Sequence, residues 1–444
     1  MNDQTYAASI KRILKDCIAQ LDSVKTLFLN DPEKDFTRNR KITFETFINI
    51  CLQMEGGALQ NELIKYYDFS EDTPTKSAFC QQRAKVSPEA LKFLYFIFTD
   101  MIIKLEMPKS FMGYRLLACD GSDINIPYNP GDQESFQQNG DKKGFNQLHL
   151  NAFFDILNGI YVDCVLEPDR KSHEREAFNI MIDRLSSVIP SIIMADRGYE
   201  SYNLFAHLIR SNHKFLIRLK DDDSNGIIST YAFTYDKNHE FDCYIEPILT
   251  WKQTNEIKRN WETYTYVARG KFDFYEDKNP YFPMRLRILC IEVSPGVYEY
   301  LATNLDQEEF PPSMIKELYH YRWAEENSFR DLKYTLDLVH FHCWKREYVE
   351  QEAWAKLVVY NFCEAITRHI TVTRQTGKTR GRKYDYKVNF ATAACICRAY
   401  LKRNDGEINP CRLIGKFLIP IRPNRCAPRK VKPQSAKSFL YRAA

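Results

Sequence analysis

A mixed α/β chain flanked by helical regions is the predicted fold class, and three patterns predict it. Residues 1–108 carry helical periodicity with few strand signals, and residues 109–220 then alternate short apolar strands with two helices. After a second β-rich stretch, residues 221–304, a charged helix without Pro or Gly occupies Tyr319–Lys333, and 305–345 is assigned to the same core as 109–220. Residues 346–444 read as a helical region ending in a basic tail. At 444 residues there is room for two or three domains and a large core.

Composition removes several function classes. Hydrophobic residues at 44% and charged residues at 27% exclude a disordered or fibrous chain. A net charge of +4 is too small to name a partner by itself. The 13 cysteines lack the paired CxxC spacing of a zinc site, and the opening MNDQTYAASIKRIL lacks the apolar run of a secretory signal. Reduced thiols in a cytoplasmic protein are therefore expected. His340, His342 and Cys343 suggest a metal, but a packed or surface cluster is the expected state. The most apolar window, Leu91–Leu105, is interrupted by Lys92, Asp100 and Lys104, so it predicts a buried helix and no membrane partner.

Taken in order, Ile10, Ile13, Leu14, Ile18 and Leu21 recur at helical spacing, as do Phe44, Phe47, Ile48 and Leu52. Thr73-Pro74 and Ser87-Pro88 read as helix starts. Arg38, Arg40, Lys41, Lys76, Arg83 and Lys85 give this region a basic side, which suits a DNA-binding module or a helical packing domain equally. LLACD (Leu116–Asp120), LHLNAFFDI and GIYVDCVLE read as strands, with Leu157-Asn158-Gly159 as a turn. A helix over Glu174–Leu185, the strand SIIMA, a helix over Tyr202–Arg210 and the strand KFLIRL follow. The first three strands are expected to be antiparallel, because the second connection is too short for a crossover. The order is compatible with a ribonuclease H-like core.

Alternating aromatic and β-branched residues in FDCYIEPILTW, TYTYVARGKF, LRILCIEV and VYEYLATNL predict a β-rich insertion. Glu350–Arg368 packs Trp354, Leu357, Val358 and Phe362 at helical spacing. The stretch TRQTGKTRGRK is basic, and Arg422–Arg442 holds seven Lys or Arg and no acid, a tail suited to a polyanion.

Three acids carry the chemical reading. Asp120 ends the first predicted strand, Asp196 follows SIIMA, and Glu326 lies on the late helix. At about 100° per residue, Tyr319, Arg322, Glu326 and Lys333 fall within an arc of about 60°, with Arg330 close by and Glu325 about 100° away. Hard carboxylate ligands suit Mg²⁺ or Mn²⁺, and two such ions about 3.5–4 Å apart can activate a hydroxyl and stabilise a leaving phosphodiester oxygen. Each acid also has a plain reading: Asp120 before Gly121-Ser122 as a turn residue, Asp196 as a helix cap, the helix as a solvated charged face. Asp123, Asp155 and Asp163 are competing ligands. Glu325 serves as the control whose loss should matter far less than that of Glu326.

These residues resemble a known family, the bacterial DDE transposases of the insertion-sequence-4 group. Tyr319-x2-Arg322-x3-Glu326-x6-Lys333 matches its YREK signature, with Arg322-Trp323 and Phe329-Arg330-x-Leu332-Lys333 alongside. Asp120-Gly121-Ser122 with Pro127, and Asp196-Arg197-Gly198-Tyr199, are similar to the motifs around its first two acids. The resemblance implies a ribonuclease H-like catalytic core with a β-rich insertion, an N-terminal helical domain and C-terminal helices used in dimerisation. It implies that Asp120, Asp196 and Glu326 are the catalytic and metal-binding acids, and that Tyr319, Arg322 and Lys333 contact transposon-end DNA, with Arg330 beside them. Trp251 and Trp261 are candidates for an aromatic that holds a flipped base, although each also suits packing. The expected activity is cleavage and strand transfer at terminal inverted repeats by a homodimer on double-stranded DNA, in the bacterial cytoplasm at the nucleoid. A nuclease that cuts without joining, and a non-catalytic DNA-binding derivative, are the alternatives.

Overall fold

The computed structural model describes residues 3–421 apart from 39, 139, 141–142, 169–173, 186–188, 222–223, 231–238 and 376–385. The tail Arg422–Arg442 and most of TRQTGKTRGRK lie outside the described residues. Five helices come first: α1 (Asp3–Ser23), α2 (Phe44–Gln53), α3 (Leu59–Tyr66), α4 (Lys76–Arg83) and α5 (Glu89–Leu105). The hydroxyl of Thr43 caps α2 by accepting from the Thr46 amide, leaving Phe44, Phe47, Ile48 and Cys51 on a buried face. At α4 the cap is Thr75 and not Thr73. The Thr73 hydroxyl is used in the preceding turn, where it donates to the Ser70 carbonyl at 2.6 Å.

Next come β1 (Arg115–Ile126), β2 (Phe136–Gln137), β3 (Phe145–Asp155), β4 (Ile160–Pro168), α6 (Glu174–Arg184), β5 (Ser191–Ala195), α7 (Tyr202–Arg210) and β6 (Lys214–Arg218). β1 pairs antiparallel with β3, and β3 with β4, while β1, β5 and β6 run parallel. The parallel strand β5 is buried along its whole length, which explains its unbroken apolar sequence.

The stretch expected as an insertion contributes in two ways. It contains α8 (Ile227–Thr230), β7 (Phe241–Ile245), β8 (Ile248–Thr250), α9 (Asn255–Arg259), β9 (Tyr264–Tyr266), β10 (Tyr281–Pro283), β11 (Leu286–Ser294) and β12 (Val297–Thr303). β8, β9 and β10 form a small sheet of their own, but β12, β11 and β7 extend the main sheet beyond β6. The nine-stranded sheet then runs β2-β3-β1-β5-β6-β12-β11-β7, with β4 on β3.

The chain continues through α10 (Pro312–Tyr321), α11 (Trp323–Arg330), a π turn over Asp331–Thr335 and the long α12 (Arg346–Gln375). It closes with β13 (Tyr386–Lys387), α13 (Phe390–Lys402), α14 (Pro410–Ile414) and β14 (Ile419–Pro420). One apolar core joins α1, α2, α5, α12 and α13 to a face of β3 and β4. The first 108 residues therefore share a core with the C-terminal helices. No helix among the described residues is long and apolar enough to cross a membrane.

Several carboxyls are largely buried in this frame. Burial pushes Asp163, Glu350 and Glu364 up to about 7, although Arg184 and Arg346 oppose it at the first two. An unfolded carboxyl titrates near 4. Between those values the folded chain holds more protons than the unfolded one, so stability falls as pH rises through 7. The thermal midpoint should be higher at pH 6.5 than at pH 8; an equal or lower midpoint at pH 6.5 would contradict these assignments.

Candidate functional site

Strand alternation builds the site. Leu117 and Cys119 of β1, with Ile193 and Ala195 of β5, face the core beneath α6 and α7. Leu116, Ile192, Met194 and Leu216 face the opposite core, where α10 packs through Ile315, Leu318 and Tyr319. With a period of two, Asp120, Asp196 and Arg218 continue that second face. The parallel pairing of β1 with β5 ends at Cys119 opposite Ala195, so Asp120 and Asp196 are the next residue on each strand. Strand carboxyl ends are where open α/β sheets gather functional groups.

The predicted end of the first strand is corrected. β1 continues to Ile126, so Asp120 is a strand residue and not the start of a turn. Gly121 lets the His149 ring pack close to the strand: a Cβ there would meet the ring nitrogen at 2.4 Å and force the ring to shift. Asp196 precedes a short 3-10 turn without capping it through its side chain.

The predicted single helix over Tyr319–Lys333 is divided. The Arg322 amide donates to the Tyr319 carbonyl and the Glu325 amide to the Arg322 carbonyl, which tightens the turn between α10 and α11, and a π turn follows Arg330. Tyr319 and Arg322 are each 4% exposed, so these two side chains face the protein and not solvent. The Arg322 guanidinium lies over the Tyr319 ring, 5.5 Å from its centroid, in the field of Asp196, Asp120 and Glu326. Lys333 donates to the Asp123 carbonyl at 2.6 Å, and its ammonium also feels Asp120. Arg330 is exposed and acts on Asp331. Glu326 is exposed, whereas Glu325 is 1% exposed and lies against Asp120. Glu325, expected as the control whose loss matters far less than that of Glu326, is turned toward the sheet and not toward solvent.

The electrostatics are those of crowded carboxylates. Burial, reinforced by Glu326 and Asp196, raises Asp120 to about 6, while the Gly121 amide and Arg322 oppose the rise. Burial first, then the Asp120 charge, pushes Glu325 well above the usual carboxyl range. Among the described residues no three His, Cys, Asp or Glu side chains stand close enough to hold an ion as they are. The donor set still fits a hard divalent cation, because it offers only carboxylate oxygens that repel one another, and an Oδ of Asp196 is buried without a hydrogen-bond partner.

Other groups around the acids carried no signature in the sequence. His149 is 6% exposed, with Nδ1 2.8 Å from Asp123 and Nε2 3.5 Å from Glu174. Arg218 pairs with Glu299 at 3.1 Å and lies 3.8 Å from Asp196. Strand alternation could have flagged Arg218, since it shares the parity of Leu216. The competing acids are used elsewhere: Asp155 pairs with Arg115, and Asp163 with Arg184. His340 pairs with Asp337 and His342 with Glu352, so the HFHC stretch is a packed cluster. A cavity of about 740 Å³ lies between the core and the small sheet, lined by Arg175, Lys220, Lys252, Lys258, Trp261 and Tyr266 among others. Trp261 is 45% exposed there, while Trp251 packs edge-on against Tyr275 under Arg269.

Residues 112–362 match the family described as "Transposase DDE domain", more than half of the chain. The chain belongs to the transposase DDE domain family. It is similar to the transposase InsG for insertion sequence element IS4 of Escherichia coli (strain K12), 20% identical over 292 residues. That match covers 64% of this chain and 59% of the relative, so the chain spans about three fifths of that protein's length. Among solved structures, the piggyBac transposase synaptic complex with hairpin DNA aligns over 99% of this chain and 79% of that one. Its TM-score of 0.42 and 9% identity are too low to establish a shared fold. The transposase DDE domain match runs from just before β1 into α12, so it contains both strand-end acids, the small sheet and the Glu326 helix.

Proposed function

We propose that this chain is a DNA transposase that binds terminal inverted repeats of its own mobile element and performs metal-dependent strand cleavage and strand transfer. The observation that carries it is the placement of Asp120 and Asp196 one residue past the last β1–β5 rung, with Glu326 brought over the same sheet face. The order β4-β3-β1-β5-β6, antiparallel then parallel, supports assigning a ribonuclease H-like core.

Asp120, Asp196 and Glu326 would hold Mg²⁺ or Mn²⁺, whose chemistry is to activate the attacking hydroxyl and stabilise the leaving oxygen. Arg322, enclosed by the acids, offsets their repulsion and sets their orientation. Direct phosphate contact is assigned to the exposed Arg330 and to Lys333 at the mouth. The cavity beside Trp261 offers lysines for backbone phosphates and an aromatic face for a base. A homodimer joining two ends is part of the same proposal.

The test uses purified protein, Mg²⁺ and a duplex carrying the element's end with a pre-cut 3′-OH. Joining of that end to a second duplex is expected; cutting without joining would favour a plain nuclease, and neither would refute the proposal. Lys333→Ala should weaken end binding and reduce the slope of log K against log salt by about 1. An unchanged slope would remove Lys333 from the DNA contacts.

A further inference from the structure

Asp196 has charged neighbours to which the three-acid reading gives no task. Docking of β12 on β6 puts Leu301 opposite Arg218. Leu301 and Leu216 share the core under α10, so with a period of two Glu299 and Arg218 lie on that same face. Glu299 sits diagonally from Arg218 across the strand pair, within the reach of long side chains. The guanidinium therefore stands between two carboxyls: its Nη1 is 3.1 Å from Glu299 and 3.8 Å from Oδ1 of Asp196. The longer distance is beyond a hydrogen bond. Oδ1 of Asp196 is buried without a hydrogen-bond partner among the described residues, and so is Nε of Arg218. A charged donor and a charged acceptor in that state would gain by closing together. Glu299 opposes the closure, because it holds the nearer place on the same Nη1 and its own side chain is only 12% exposed.

We propose that Glu299 is a positioning residue: by holding Arg218 it keeps the guanidinium from closing on Asp196, and so leaves the Asp196 carboxyl open to a divalent cation. This rests on the reading of Asp120, Asp196 and Glu326 as the metal-holding acids. Glu299 touches neither substrate nor ion; it acts through Arg218. A guanidinium bound to Asp196 would occupy the oxygen that a hard cation needs. Outer groups that orient metal-holding side chains contribute on the order of 10–100-fold to affinity. The strand that carries Glu299 comes from the stretch between the second and third acids, so its docking on β6 bears on the metal site as well as on the sheet.

A double-mutant cycle tests this in the full chain. Mn²⁺ binding is followed by isothermal titration calorimetry, folding by thermal melts, and cleavage of end DNA on gels. Glu299→Leu keeps the volume but releases Arg218, and should weaken Mn²⁺ binding about 10-fold or more. In a chain that already carries Arg218→Met, no guanidinium can close on Asp196, and Glu299→Leu should change the affinity by less than about threefold. If the leucine chain does not melt cooperatively, Glu299→Thr, which also lacks the reach to Arg218 and suits a strand, takes its place with the same expectations. An equal loss in both backgrounds would mean that the Glu299 charge acts on the ion directly, which overturns the proposal. A leucine variant that binds Mn²⁺ as the parent does would make the pair with Arg218 a tie between β12 and β6 and nothing more, which also overturns it. Absence of Mn²⁺ binding by the parent overturns both this role and the metal-holding reading. If the Mn²⁺ pattern holds but the parent never cuts end DNA, the positioning role stands and the transposase reading fails.

Discussion

Glu326→Gln is expected to abolish metal-dependent cleavage and joining while end binding persists. The substitution keeps the shape of the side chain and exchanges a charged oxygen pair for a neutral amide, a poor partner for a hard cation. Stabilisation of phosphoryl charge by metal ions is worth several kcal/mol, and about 4 kcal/mol corresponds to roughly 10³-fold in rate. Folding should be almost unaffected, because Glu326 is exposed and surface substitutions usually change stability by about 0.5 kcal/mol or less. That separation gives the experiment its force: a folded, DNA-binding, inactive variant locates the defect in the chemistry. Gel-shift and cleavage assays in Mg²⁺ check it, and cleavage by the variant at more than a tenth of the parent rate would remove Glu326 from the metal-holding set.

The parts of this site legible in the sequence are those set by local periodicity. SIIMA ends where β5 ends, so Asp196 could be placed at a strand terminus directly. The helical wheel correctly turned Glu325 and Glu326 in different directions. It could not show which direction was the protein interior, because that depends on β1 lying beneath α11. Tyr319 and Arg322 are buried while Glu326, on the same predicted arc, is exposed, because the tightened turn between α10 and α11 breaks the single periodicity that the wheel assumes. The end of β1 was misplaced because Asp-Gly favours turns, whereas ten rungs of pairing with β3 keep Gly121 extended. β11 and β12 were legible as strands, but their docking on β6 is a long-range pairing that no local pattern encodes.

Arg83 is the residue whose role changed most, and its loss should be the most destabilising single change among those considered. In the sequence it belongs to a basic side of the first helices; in the structure it is 1% exposed at the end of α4, against α12. Its Nε donates to the Gln351 side chain at 3.0 Å, Nη1 to Glu352 at 2.9 Å, and Nη2 to the Tyr348 carbonyl. Glu352, fully buried, also accepts from the His342 amide at 3.1 Å and from the His342 ring. Burial works against ionisation there, but Arg83 and His342 hold the carboxyl well below its usual range. Arg83→Met keeps most of the volume and strands that charge, along with the Tyr348 carbonyl and the Gln351 amide oxygen. Breaking one side of a buried pair typically costs about 3–5 kcal/mol, a large part of the roughly 5–15 kcal/mol that holds a domain folded. Replacing Glu352 by Gln in the same chain should recover part of the loss, because the uncompensated charge disappears while an acceptor for His342 remains. Urea unfolding of the parent, the single variant and the double variant measures both effects. A loss below about 1 kcal/mol for Arg83→Met would show that the buried pair with Glu352 contributes little to holding α4 on α12.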